Sequence, residues 1–491
     1  MKNAATIENN ASDPECRALR RLALELFDVA VRAVDPATLV RRAVRPLVGG
    51  ATGAPGNLWR VGGATVDLDL HDHVWVLGAG KAGASMAAAL EGALGERISG
   101  GAVVVPGRGD LPKLKRVRLL RGGHPLPTRE GVEAAARVLA LAKRASKNST
   151  SAEKVGVPRD LVICLISGGG SALMTLPAPG LTLEDLRATN DALIKSGAPI
   201  EEVNAVRKHL SAIKGGRLAE AAHPARVVAL VVSDVVGDPL DVVASGPTVP
   251  DPTTFQEALD VVRRRGLAGS LPVAVLERLQ RGVAGLEPET PKPGDPSLAG
   301  VKTFVVGSAK TATEAVVGEC RKRNVDAEVF SRAISGEARE FAPALFLKVR
   351  ERLESAGDGP LVLVGSGELT VVVVGGGVGG RNQEMLLALA PMLSSVRPHH
   401  ACVLAAGLDG LEGNSPAAGA VVDEWTLSRA EGAGLDVDAH LEGNDSHRFF
   451  RALDDAVVTG PTGTNVNDLV VVCLKRSRPD QADSRVLGDH D

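Results

Sequence analysis

Short apolar runs alternate along this chain with longer stretches whose apolar positions recur at helical spacing. The runs 74–77, 101–105, 161–166, 227–232, 303–306, 361–364, 370–374 and 402–405 are β-branched or apolar segments of strand length. The stretches 82–94, 129–143, 183–196, 200–213, 311–323, 336–354 and 382–393 predict helices. Strands alternating with helices in this way are the pattern of a parallel α/β sheet covered on both faces. Order is expected to begin with a helix over 17–34, where Leu19, Leu22, Leu26, Phe27 and Val34 recur beside Arg17, Arg20, Arg21 and Arg32. The polar, Asn-rich residues 1–16 before it read as a disordered tail.

Two stretches break the rhythm. Residues 145–158 are a polar insert, expected as a surface loop. Residues 281–300, RGVAGLEPETPKPGDPSLAG, are dense in Pro and Gly, which disfavours regular structure and suits a connection between domains. The expected division is an N-terminal α/β domain over 17–285, a linker over 286–300, a smaller α/β domain over 301–476 and a frayed tail over 477–491.

Composition narrows the function. Lys and Arg total 56 against 59 Asp and Glu, a net charge of -3, so the chain carries no field of the kind that gathers nucleic acid. With 8 Phe, 3 Trp and no Tyr there is little from which to build base-stacking platforms, and no acid for a Tyr-dependent dehydrogenase. The five cysteines lack CxxC spacing, and Cys164, Cys402 and Cys473 lie in apolar runs, as suits reduced thiols in a reducing compartment. No window approaches the ~18 apolar residues of a membrane span. The expectation is a soluble, cytoplasmic protein with no nucleic-acid or membrane partner.

Several polar turns could carry chemistry. Gly78, Gly80 and Gly83 form GxGxxG between an apolar run and a helix, a place where backbone N–H groups meet anions. A dinucleotide site also wants an acid at the end of the next strand, and none occurs before Asp110. Lys81 instead sets an ammonium in the turn, suited to phosphate or carboxylate. Ser167, Gly168, Gly169, Gly170 and Ser171 follow the apolar run 161–166 and resemble an oxyanion or phosphate nest. A serine nucleophile is the competing reading, without GxSxG spacing to support it. At 100° per residue, Asn204, Arg207, Ser211 and Lys214 fall in one sector of a helix that Gly215 and Gly216 end, with Val203, Val206, Leu210 and Ile213 on another face. Asp234 and Asp238 follow a strand where open α/β sheets bind ligands, suited to a general base or Mg²⁺ contact.

In the second half, six residues from Gly375 to Gly380 lead into Arg381, Asn382, Gln383 and Glu384, offering a guanidinium for oxyanions. Asp409, Glu412, Glu384 and Asp468 are hard-oxygen donors appropriate to Mg²⁺. His71 and His73 lack a third ligand and read as surface residues rather than a zinc site.

Taken together, GAGKAG at 78–83, GGHPLPT at 122–128, SGGGSAL at 167–173, NAVRKHLSAIKGGRLA at 204–219, SDVVGDPLDVVASGPT at 233–248, GGRNQE at 379–384 and GTNVNDL at 463–469 resemble the glycerate 2-kinase family, the second class of glycerate kinases, some of whose members are labelled hydroxypyruvate reductases. The resemblance implies ATP- and Mg²⁺-dependent phosphorylation of D-glycerate to 2-phosphoglycerate, in a cleft between a Rossmann-like N-terminal domain and a smaller α/β domain. It carries the family's essential cations onto Lys81 and Arg381. One loop departs from the family's GTDGxDG, with Leu408 for the threonine and Glu412 for the second aspartate.

The residues agree with phosphoryl transfer, which asks chiefly for cationic donors, a metal and an aligned hydroxyl. Glycerate's carboxylate is expected on Arg207 or Lys208, and Asp234 is expected to orient the hydroxyl or hold Mg²⁺ together with Glu384 and Asp409. Glycerate is the expected partner, and a homodimer is compatible with the reading. The alternatives are an NAD(P)H-dependent hydroxypyruvate or tartronate reductase, against which the missing ribose acid and Tyr count, and a catalytically inert sugar-acid binding protein.

Overall fold

The computed structural model describes residues 1–48, 55–107, 109–150, 159–355, 357, 359–464 and 466–477. It divides into two compact units, Pro36–Gly307 and Met1–Asp35 joined with Ser308–Asp491.

The unit Pro36–Gly307 opens with a small antiparallel sheet of β1 (Val44–Val48), β2 (Pro55–Val61) and β3 (Ala64–Asp67). Its main sheet comprises β4 (His73–Ala79), β5 (Ile98–Pro106), β6 (Val117–Gly122), β7 (Asp160–Ser167), β8 (Arg226–Val232) and β9 (Val301–Gly307). The order is β6-β5-β4-β7-β8-β9, and every pairing is parallel. Counted within this sheet the order is 3-2-1-4-5-6, that of the Rossmann type of doubly wound sheet. The chain runs outward from β4 through β5 and β6, then returns to β4's other edge with β7. That reversal is where such sheets hold ligands, outside the carboxyl ends of the strands. Ala79 pairs with Ile166 in the β4–β7 register, so the two glycine turns leave the sheet side by side.

Those turns need glycine because the backbones nearly touch. A Cβ on Gly78 (φ +154°) would stand 1.9 Å from the Leu165 carbonyl oxygen, and one on Gly80 (φ +147°) 1.9 Å from Ser167 Oγ. The helix Arg129–Thr150 covers the sheet with Ala135, Val138 and Ala142, against Leu77, Val104 and Ile166. Beside it the helices Leu183–Lys195, Ile200–His209, Phe255–Arg264 and Val273–Val283 pack a second cluster around Leu193, Val206, Leu210 and Phe255.

In the other unit, β10 (Asp326–Ile334), β11 (Leu361–Gly367), β12 (His400–Gly407), β13 (Gly419–Asp423), β14 (Ala456–Val457) and β15 (Asp468–Lys475) form a mixed sheet in the order β10-β11-β15-β12-β13-β14. Only β10 and β11 run parallel among its pairings. The helix Arg381–Leu393 lies on this sheet, burying Met385, Leu386 and Leu389 against Val403, Val470 and Val472.

Several expectations need correction. Residues 1–16 are not disordered: they include the helix Ala4–Asn9 and the start of the helix Pro14–Ala33. The second helix belongs with the mixed sheet because the guanidinium of Arg20, 0% exposed, pairs with Asp423 at 2.6 Å and with Asp455 at 2.7 Å. An arginine on the polar flank of a helical pattern gave no sign of being buried. The proposed linker is not a boundary either. Glu289 bonds His209 and the Phe255 N–H, and Thr290 donates to Asp251, which pins residues 286–300 to the first unit. The boundary falls after β9, whose pairing with β8 completes the parallel sheet.

Local structure also departs in places. The expected strand at 370–374 does not form beyond one bridge at Thr370, and Val372, Val373 and Val374 are exposed. The helix expected over 200–213 stops at His209. Of the loop expected at 145–158, residues 145–150 continue the helix Arg129–Thr150, and 151–158 lie outside the described residues. The frayed tail likewise lies outside them from 478 onward. Among the described residues no helix is long and apolar enough to cross a membrane.

Candidate functional site

The turn after β7 and the segment after the helix Ile200–His209 enclose a cavity of about 210 Å³. Ser171, Arg207, Ser211 and Lys214 line it, with Gly169, Thr189, Asn190 and His124. The sector read from a helical wheel therefore converges, although the helix itself ends before Ser211. Lys214 is 5% exposed and its Nζ donates to the Ser171 carbonyl at 2.8 Å. Arg207 Nε donates to Asn190 Oδ1 at 2.7 Å. Burial, reinforced by the Arg207 charge, pushes the Lys214 amine down to about 7. Burial also lowers the Arg207 guanidinium. Among the described residues no carboxylate lines the cavity, so two basic side chains face a space without a counter-charge.

Asn204 supports this site from behind. Its Oδ1 accepts from Ser245 Oγ at 2.9 Å, and Ser245 Oγ lies 2.9 Å from Ser171 Oγ. Ser245 stands in a left-handed turn with Ala244 (φ +52°) and Gly246 (φ +58°). The carbonyls of Ser245 and Gly246 accept from the Gly215 and Gly216 N–H groups, fixing the segment that carries Lys214.

Lys81 is exposed at the turn after β4, its N–H bonded to the Gly168 carbonyl at 2.9 Å. Its chain passes over Gly169, where a Cβ would stand 3.1 Å from Lys81 Cγ. Burial and the Lys81 charge hold the His124 imidazole below its ordinary value. Ser167 plays a structural part, since its Oγ accepts from the Ala82 N–H at 3.1 Å. Gly170 begins the short helix Gly170–Leu173. Asp234 and Asp238 are half-buried beyond the end of β8.

Lys208 departs from its expected role. It is 1% exposed, with Nζ 3.1 Å from Asp241 and 3.2 Å from Asp251, so two carboxylates take its charge and it does not line the cavity.

In the other unit, Asp468 opens β15 between Gly367 of β11 and Gly407 of β12. That register gathers the turns after all three strands. Arg381 binds Asp468 through both Nε (2.5 Å) and Nη2 (3.0 Å), and Glu368 through Nη1 (2.7 Å). Burial alone would lower the Arg381 guanidinium, but Asp468 and Glu368 hold it above its ordinary value. Arg381 also lines a cavity of about 580 Å³ with Leu369, Val371, Val373 and the glycines 377, 379 and 380.

Glu412, expected among the hard-oxygen donors for Mg²⁺, is instead engaged by a helix N-terminus. Its carboxylate accepts from the Asn382 and Gln383 N–H groups at 2.9 and 3.0 Å, capping the helix Arg381–Leu393. Burial and Asp468 push Glu412 up to about 7. Glu384 is not available to a metal as expected: Arg339 donates to it at 2.8 Å and Asn444 at 3.0 Å.

Asp409 and Asp468 meet at Gly407: a Cβ there would stand 3.0 Å from the Leu411 carbonyl oxygen, 3.1 Å from Asp409 Oδ1 and 3.4 Å from Asp468 Oδ1. Two carboxylates this close are a donor set suited to a hard cation, with Asp468 also held by Arg381 and Asp409 Oδ1 accepting from the Leu411 N–H at 3.2 Å. Asp13, His400 and Glu424 also gather, but Asp13 caps a helix and accepts from Trp425, while Glu424 holds both His400 and the Ala401 N–H.

His124, Asn190, Ser245, Glu368 and Arg339 were not singled out as site residues from the sequence. His124 and Ser245 did carry a signal, within GGHPLPT and SDVVGDPLDVVASGPT.

Residues 22–280 match the model of a domain of unknown function, DUF4147, and residues 361–468 that of the MOFRL family. A glycerate 2-kinase of Pyrococcus horikoshii is 36% identical over 94% of this chain and 98% of its own. The chain belongs to the glycerate kinase family. A human glycerate kinase is 34% identical over 93% of this chain and 94% of its own. The crystal structure of a glycerate kinase from Thermotoga maritima superposes with a TM-score of 0.78 at 33% identity, over 93% of this chain and 99% of that one. The two units described above are thus a fold shared with glycerate kinases.

Proposed function

We propose that this protein transfers the γ-phosphoryl group of ATP to the 2-hydroxyl of D-glycerate, releasing ADP and 2-phosphoglycerate. The observation that carries the reading is the 210 Å³ cavity with Arg207 and Lys214 and no carboxylate in its lining. That space suits a small organic acid, and the enclosed cations supply the charge its carboxylate needs. The relatives named above as glycerate 2-kinase and glycerate kinase support the substrate.

Each group then has a task. Arg207 and Lys214 hold the carboxylate, with Ser171 as hydroxyl donor and the Ser245–Asn204 pair fixing Ser171. Asp234 receives the hydroxyl proton as the oxygen attacks phosphorus. Lys81 and Arg381 are the two cations assigned to the phosphates. Asp409, with Asp468 beside it, would hold Mg²⁺, which when bound neutralises phosphate charge.

Incubation of the purified protein with ATP, Mg²⁺ and D-glycerate, with the product identified by NMR, is expected to give 2-phosphoglycerate. Absence of phosphoryl transfer, or NADH consumption with hydroxypyruvate in its place, would overturn the reading.

A further inference from the structure

The cavity around Lys214 has an electrostatic feature that binding of a small acid does not by itself require. Two cationic side chains are enclosed together. Lys214 has one protein acceptor, the Ser171 carbonyl, and Arg207 has the neutral Asn190 amide. The other titratable side chain in the lining is His124, whose imidazole burial and the Lys81 charge hold below its ordinary value. Among the described residues, the helix Gly170–Leu173 and the turn Val243–Ser245 carry no ionisable side chain. The helix Leu183–Lys195 lines the cavity with Leu186, Thr189 and Asn190, while its Asp185 accepts from Thr182, Asp191 pairs with Lys195, Arg187 donates to the Pro127 carbonyl and Glu184 is exposed. Asp241 and Asp251 are taken by Lys208. A buried ammonium beside a guanidinium, without a carboxylate, is a costly state.

We propose that Lys214 waits in the empty cavity as the neutral amine and takes a proton from solvent when a carboxylate enters, so that substrate binding and proton uptake are one event. The inference rests on the cavity being the glycerate site. The incoming anion supplies the counter-charge that the lining lacks, and the protonated amine then donates to it. The proton comes from water or buffer, and no bond to carbon or phosphorus changes. The position of the amine near neutrality in the empty cavity agrees with this. One consequence is selectivity: a carboxylate makes the site cationic, whereas a neutral polyol of the same size meets an amine that stays uncharged.

The test is calorimetric titration of the full chain with D-glycerate, in the presence of Mg²⁺ and a non-hydrolysable ATP analogue. It is run at about pH 8 in two buffers of different ionisation enthalpy. Wild type is expected to take up most of one proton per glycerate bound. Lys214→Arg keeps a permanent charge and is expected to bind glycerate with no uptake, and Lys214→Met to bind weakly with none. His124→Ala is expected to leave the uptake unchanged. Buffer-independent enthalpy in wild type, or uptake that survives in Lys214→Arg, would overturn the inference while leaving the kinase reading intact. Absence of glycerate binding together with absence of ADP release would overturn both.

Discussion

Gln383 donates to Glu412 from its side-chain amide at 2.6 Å and from its backbone N–H at 3.0 Å. One residue of the helix's first turn is thus doubly bound to a carboxylate from the turn after β12, and that carboxylate sits where a helix N-terminus attracts an anion. Glu412→Ala is expected to cost about 1–2 kcal/mol from the lost cap, read as a lower urea midpoint. An unchanged midpoint would mean that the carboxylate contributes nothing to holding Arg381's helix.

Lys208 separates the structural cation from the binding ones. Lys208→Met leaves the fully buried Asp251, and half-buried Asp241 beside it, without their cation, a loss of about 3–5 kcal/mol. In the fraction that folds, the KM for glycerate is expected to stay within about twofold of wild type, since the residue does not line the cavity. A large rise in KM at unchanged kcat would return Lys208 to the carboxylate.

The buried amine also makes stability depend on pH. Burial and Arg207 hold Lys214 at about 7 in the folded chain, against 10.5 for an unperturbed lysine. Between those values the unfolded chain binds more protons, so wild-type stability rises with pH across this window, and the penalty is fully present below it. Lys214→Met removes the penalty. Its gain in Tm over wild type is expected to be largest near pH 7 and to shrink as pH approaches 10.5, measured by calorimetry. A gain independent of pH would show that the amine is not perturbed.

Lys81→Met and Arg381→Lys are each expected to lower kcat by about 100-fold or more, as loss of one positioned hydrogen-bond donor to a transition state does. Lysine keeps the charge at 381 but cannot bind Asp468 through two nitrogens. Circular dichroism checks that each variant is folded. Turnover within about twofold of wild type in either variant would remove that cation from the mechanism.

The family, the parallel sheet and the two glycine turns at its reversal point were legible in the sequence because they rest on local order. Apolar runs, glycine positions and motif succession are properties of consecutive residues. The convergence of Arg207, Ser211 and Lys214 was legible for the same reason, since they sit within eight positions of one another.

What the chain could not announce was which charges are already matched. Lys208 and Arg207 are neighbours of the same type in one helix, yet Lys208 meets Asp251 from 43 positions away while Arg207 faces the cavity. Glu384 looked like a metal donor until Arg339 and Asn444 closed on it. Arg20 drew the N-terminal helix to the mixed sheet through aspartates more than 400 positions distant. Sequence periodicity assigns a side chain to a face of its own element, but a buried charge is settled by the partner that reaches it. That partner is chosen by the folding of remote segments, which is why the sequence by itself determined the scaffold and its turns, and the tertiary structure decided which cations remained for a ligand.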